Sequence, residues 1–157
     1  MASTHALAAK EIRKHIKKLG VKASVRAASY AGGNSVYVST EDLNPSLADE
    51  VRKITDQYQM GSFDGMNDIY EIDNERDDIP QVKYVLVSGS FSIEMKQKAL
   101  DLLLTKPLNG LDLGDIPKNY ADVTDYKQLE YINSILYGKS NFLSSEFWEA
   151  QNNAKPA

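Results

Sequence analysis

The stretch "KASVRAASYAGGNSVYVST", residues 22–40, constrains the fold more than any other part of the chain. Residues 22–30 and 35–40 both read as strands, and Val36 and Val38 alternate with Ser35, Tyr37 and Ser39, the period of a half-buried strand. Only Ala31-Gly32-Gly33-Asn34 separates them, too little chain for a crossover, so the pair is expected to close as an antiparallel hairpin. Gly and Asn supply the positive φ that such a turn needs. Adjacent glycines also bare backbone N–H groups, so the same turn can touch a phosphate, with Arg26 on the preceding strand supplying charge. No Lys-Ser/Thr pair follows, which excludes a nucleotide-binding P-loop.

Helical patterns flank the hairpin. Ala9, Ile12, Ile16 and Leu19 form one apolar stripe over residues 4–19, with Ser3 or Thr4 to cap the start and Gly20 to stop it. Asn44-Pro45 opens a second helix with Leu47, Val51, Ile54 and Tyr58 inward, and Gly61 is expected to end it. "GSFDGMND" reads as a loop leading to a short extended "IYEID", and "VKYVLVSGS" is the strongest strand. Residues 92–104 read as helix, with Ile93, Ala99 (or Leu100) and Leu103 inward. A long surface loop over 107–122 and helices near 124–137 and 144–151 follow, and "AQNNAKPA" is a polar, disordered tail by composition. The order predicts an α+β fold, an antiparallel sheet of the hairpin plus one or two further strands packed with helices. Residues 1–106 would form the core domain, and 107–157 a loop and helical C-terminal extension packed on it.

Charge is segregated along the chain. Residues 1–40 carry a net +6 and residues 41–80 a net −9, although the whole chain of 157 residues stands at −4. A partner can therefore meet one sign only. The basic set is Arg13, Lys14, Lys17, Lys18, Lys22 and Arg26, with Tyr30 and Tyr37 available for stacking and Gly33 and Asn34 in the turn. If helix and strand share one basic face, they make a surface suited to nucleic acid, phosphate contacts supplemented by base stacking. The alternative is a solvated helix face that offsets the acidic middle.

Other chemistry has thinner support. The chain lacks cysteine, so a disulfide framework, a thiolate nucleophile and a zinc ribbon are all excluded. His5 and His15 stand about 80° and 15 Å apart on an ideal helix and cannot share a metal. Asp64 and Asp68 are candidate Mg²⁺ or Ca²⁺ ligands, but their spacing fits no EF-hand, and Asp commonly ties up its own loop backbone. We therefore expect no cofactor and a non-enzymatic protein, with a metal-dependent enzyme as an outside alternative. The acidic run "EIDNERDD", residues 71–78, is either a solvated loop or a patch that imitates a phosphate backbone. Phe142, Phe147 and Trp148 lie in an amphipathic end helix that either docks on the core or binds a partner, a second copy included. The longest apolar run, "LDLLL", is too short to cross a bilayer, and the N-terminus lacks the layout of a secretory signal.

Four blocks together carry a resemblance: "HALAAKEIRKHIK", "ASVRAASYAGGNSVYVS", "FDGMNDIY" and "VKYVLVSGSFS". Over about residues 5–95 the chain resembles the large polyvalent-protein-associated domains of phages and conjugative elements. Arg13, Ser24, Val25, Arg26, Gly32–Ser35, Phe63–Met66, Asp68 and Tyr70 carry the likeness. Members commonly have a Trp and an Asp-Gly-Pro after the second strand, where this chain has "STEDLNP". The resemblance implies a bacteriophage or mobile-element accessory protein acting in the host cytoplasm, and names no active site. Two roles fit: binding nucleic acid during genome entry, protection (anti-restriction included) or processing, or inhibiting a host defence or transcription protein.

Overall fold

In the computed structural model, residues 3–107, 110–139 and 141–154 are described, the last three by backbone alone. Met1, Ala2, Leu108, Asn109, Ser140 and the tail residues 155–157 lie outside the described set. The chain divides into two compact units, residues 1–90 and 91–157.

In the first unit, α1 (Thr4–Lys18) is capped by Ser3, whose Oγ accepts the Ala6 amide, and Gly20 follows it at a φ of +75°. β1 (Ala23–Tyr30) and β2 (Gly33–Glu41) pair antiparallel through the two-residue turn Ala31-Gly32. Gly33 and Asn34, read from sequence as turn residues, are already paired in β2. Asn44 caps α2 (Pro45–Asp56), accepting the Ser46 amide. That helix ends before Gly61, and "GSFDGMND" is not wholly loop: β3 (Ser62–Asp64) pairs antiparallel with β4 (Ile69–Glu71). β5 (Tyr84–Ser90) then runs parallel to β2, in the order β1-β2-β5. The fold is α+β, with a mixed main sheet and a second, two-stranded sheet.

Strand alternation divides the main sheet into two faces. Val36 and Val38 point to one face and are buried with Ala8, Ala9, Ile12 and Ile16 of α1 and Val51 of α2. Ala23, Val25 and Ala27 of β1 and Val85 and Val87 of β5 flank that core. The two helices thus cover one face of the sheet and leave the other without a layer from this unit.

The second unit contains α3 (Ile93–Leu104), a 3-10 turn at Tyr120–Asp122, α4 (Tyr126–Tyr137) and α5 (Leu143–Ala154). Its core joins Ala99, Leu100 and Leu103 to Ile132, Ile135, Leu136, Leu143, Phe147 and Trp148. Ile93, expected inward, is 71% exposed at the first turn of α3. Residues 152–154, beyond the helix read over 144–151 and within the polar tail, continue α5. Leu113 buries its side chain from the connection over 107–122 that composition alone marks as surface loop, and Val123 does so just after it. No helix among the described residues is long and apolar enough to cross a membrane.

Candidate nucleic-acid interface

The pairing register places the residues of the uncovered face in rows. Ser24, Ser39 and Ser88 form one row, Arg26, Tyr37 and Leu86 the next, and Ala28, Ser35 and Tyr84 a third. Tyr30 stands opposite Gly33 beyond them. The Arg26 guanidinium carbon lies 4.9 Å from the centre of the Tyr37 ring, its directly opposed cross-strand neighbour. That is within cation–π range, and the attraction holds the charge at a fixed place over the sheet.

A second cation–aromatic group stands at the start of β5. Lys83 Nζ lies 5.1 Å from the Tyr70 ring centre and 5.8 Å from that of Tyr84, and donates to the Gly32 carbonyl at 3.1 Å. Tyr70 and Tyr84 meet edge to face with centres 5.4 Å apart, and the Tyr70 hydroxyl donates to the Lys83 carbonyl. Burial, then the neighbouring Tyr84, raises the Tyr70 phenol above its ordinary pKa. Gly33 makes room for this group: a Cβ there would stand 2.9 Å from Lys83 Cδ and 3.3 Å from the Tyr30 ring. Tyr30 Oη and Ser35 Oγ share a hydrogen bond of 2.5 Å, fixing the tyrosine at the rim. Asn34 takes a different part, its Oδ1 accepting the Lys83 amide at 2.9 Å.

The face therefore gathers Arg26, Tyr30, Gly33 and Tyr37 from the basic set read in sequence. It adds Tyr70, Lys83, Tyr84 and Leu86, which sequence reasoning left out. Alternation in "KYVLVS" puts Tyr84, Leu86 and Ser88 on one side of a strand, but not beside β2, because the parallel pairing spans the whole of α2 and the β3–β4 hairpin. Lys14, Lys17 and Lys18 are exposed on α1, which packs against the opposite face, so the sheet separates them from Arg26. Lys22 is exposed just ahead of β1. Arg13 donates from Nη2 to the Val25 carbonyl at 2.8 Å, satisfying an outward group of edge strand β1.

The remaining candidates resolve individually. Asp64 accepts from Asn67 Nδ2 at 2.7 Å and from the Met66 amide at 3.0 Å, bonds that hold its carboxyl below the ordinary range. Asp68 adopts a left-handed φ of +54° in the same turn. Among the described residues no group of three or more His, Asp or Glu is placed to hold a metal ion. The acidic run is tied down by its polar members: Asn74 donates to the Asp56 and Gln59 carbonyls, and Arg76 pairs with Asp78. That pairing keeps the Asp78 carboxyl below its usual pKa. Phe147 and Trp148 are core residues of the second unit, and Trp148 Nε1 donates to the Leu136 carbonyl. Phe142 is 74% exposed.

No curated protein and no solved structure matches the chain. The segment that builds the sheet, its two covering helices and the β3–β4 hairpin does match a family, over residues 3–97. On that match the chain belongs to the family of large polyvalent protein associated domain 29, a domain class of phages and mobile elements.

Proposed function

We propose that the protein is a non-enzymatic accessory protein of a phage or other mobile element that binds nucleic acid through the uncovered face of its main sheet. The observation that carries this reading is the pairing of cations with aromatic rings on one open surface, Arg26 with Tyr37 and Lys83 with Tyr70 and Tyr84. Phosphates are met by the two cations, with aromatic planes beside them and the hydroxyls of Ser24, Ser39 and Ser88 in the row beyond Arg26. The exposed lysines of α1 add positive potential that speeds encounter without touching the same strand. Salt titration of binding to labelled oligonucleotides tests this. Affinity in the micromolar range or tighter should fall linearly in log–log salt, and Arg26→Glu with Lys83→Glu should flatten the slope by about 0.7 per lost phosphate contact on a single strand. Absence of binding at low salt overturns the proposal.

A second reading, inhibition of a host protein, draws support from the β3–β4 hairpin. Met66 is 97% exposed, with Phe63, Ile69 and Ile72 at least half exposed around it, beside the acidic run. It becomes the better reading if no nucleic acid binds and a stoichiometric host protein is retained by the native chain but not by Met66→Asp.

A further inference from the structure

We infer that the uncovered sheet face takes an unpaired polynucleotide strand, gripping its bases by stacking, and does not take a duplex. The inference rests on the nucleic-acid reading above and deepens it. Three observations carry it. First, the cations here are not free: Arg26 and Lys83 are both held over tyrosine rings, so the plane presented to a ligand is aromatic and cationic together. Such planes suit the face of a base, which a duplex hides in its stack and a single strand exposes. Second, the tyrosines occupy successive rows, Tyr37 in one, Tyr84 in the next and Tyr30 beyond. Successive rows stand about 6.6 Å apart along the strand direction, against 3.4 Å per nucleotide along one strand of a duplex. Because the three tyrosines lie on β2, β5 and β1, their separations are larger still. Bases meet successive rows only when the polynucleotide is stretched out of its stack. Third, on this face the strands of the main sheet carry one carboxylate, Glu41, at the far end opposite Ser90, the Asp73 carboxylate near Tyr70 belonging to the segment after β4 and not to the sheet. Between Glu41 and the Arg26 row lie the hydroxyls of Ser24, Ser39 and Ser88, which suit phosphate oxygens or base edges.

Affinity for a 12-nucleotide single-stranded DNA and for the same sequence as a duplex, measured on the full chain across a salt series, decides the matter. The single strand should bind at least tenfold more tightly. Tyr37→Leu and Tyr84→Leu should each weaken it about tenfold at every salt concentration while leaving the salt slope unchanged, since stacking releases no counterions. Arg26→Lys, which keeps the charge and loses the plane, should weaken it without altering the slope. Circular dichroism of each variant separates loss of the platform from loss of the fold. Equal binding of duplex and single strand, or folded tyrosine variants that bind like the native chain, overturns the inference while leaving nucleic-acid binding intact. No binding of either form overturns the reading beneath it as well.

Discussion

Gly61 shows how one residue can be misread when its partner is distant. As the first glycine after an apolar helical stripe it looks like a helix stop, yet α2 ends at Asp56, and Gly61 is absent from the left-handed glycines. Its actual constraint is a close approach: a Cβ there would stand 2.0 Å from the Glu71 carbonyl oxygen and 2.8 Å from the Tyr70 ring. The backbone at 71 cannot yield without opening the β3–β4 hairpin. Gly61→Ala should therefore destabilise the protein by about 1–3 kcal/mol, the usual cost of overpacking, and lower its urea midpoint. An unchanged midpoint would mean that the hairpin shifts freely. Arg26 and Tyr37 show how turn length decides a contact. A four-residue turn over Ala31–Asn34, as the sequence reads, would set Tyr30 opposite Ser35 and Arg26 opposite Ser39. The two-residue turn Ala31-Gly32 shifts the register so that Arg26 faces Tyr37 instead, and Gly33 and Asn34 join the strand.

At the scale of elements, the helices announce themselves through caps such as Ser92, whose Oγ accepts the Met95 amide, and Asp125, whose Oδ1 accepts the Gln128 amide. The position of β5 does not. Its sequence says strand, but its place beside β2 depends on a connection through α2 and β3–β4, which local pattern cannot encode. Two side chains fix its start: Asn34 Oδ1 accepts the Lys83 amide at 2.9 Å, and Gln59 Oε1 accepts the Val85 amide at 2.8 Å. Gln59 is itself held by donating from Nε2 to the Gly61 carbonyl at 2.7 Å. Removing an acceptor from a partly buried amide costs about 1 kcal/mol or more. Asn34→Ala and Gln59→Ala should each lower stability by that amount, and Gln59→Ala should speed hydrogen exchange at the Val85 amide before it affects β1. Val85 protection equal to that of the native chain would show that β5 needs no such anchor. Because Lys83 immediately precedes β5 and Tyr84 opens it, the same anchors position the second cation–aromatic group.

For the molecule as a whole, two hydrophobic cores divide the work. The core under the main sheet draws on residues 8–87, and the other on residues 91–148, so the proposed interface is built wholly from the first unit. Both charge poles lie within that unit too, the basic 1–40 and the acidic 41–80, which explains why net charge alone says little about the partner. The chain has a single tryptophan, Trp148, buried in the second core with Leu103. Its fluorescence therefore reports one unit, while the proposed oligonucleotide binding would report the other. Leu103→Ala leaves a cavity beside α4 and α5 and should cost about 2–5 kcal/mol, moving the tryptophan transition to lower denaturant. Under native conditions the same variant should bind a labelled oligonucleotide as the unaltered chain does, because no residue of the stacking rows belongs to the second core. A fluorescence transition left in place would show that the core absorbs the truncation. A parallel loss of affinity in a variant whose Trp148 remains buried would place a determinant of binding beyond residue 90 and require the interface to be redrawn.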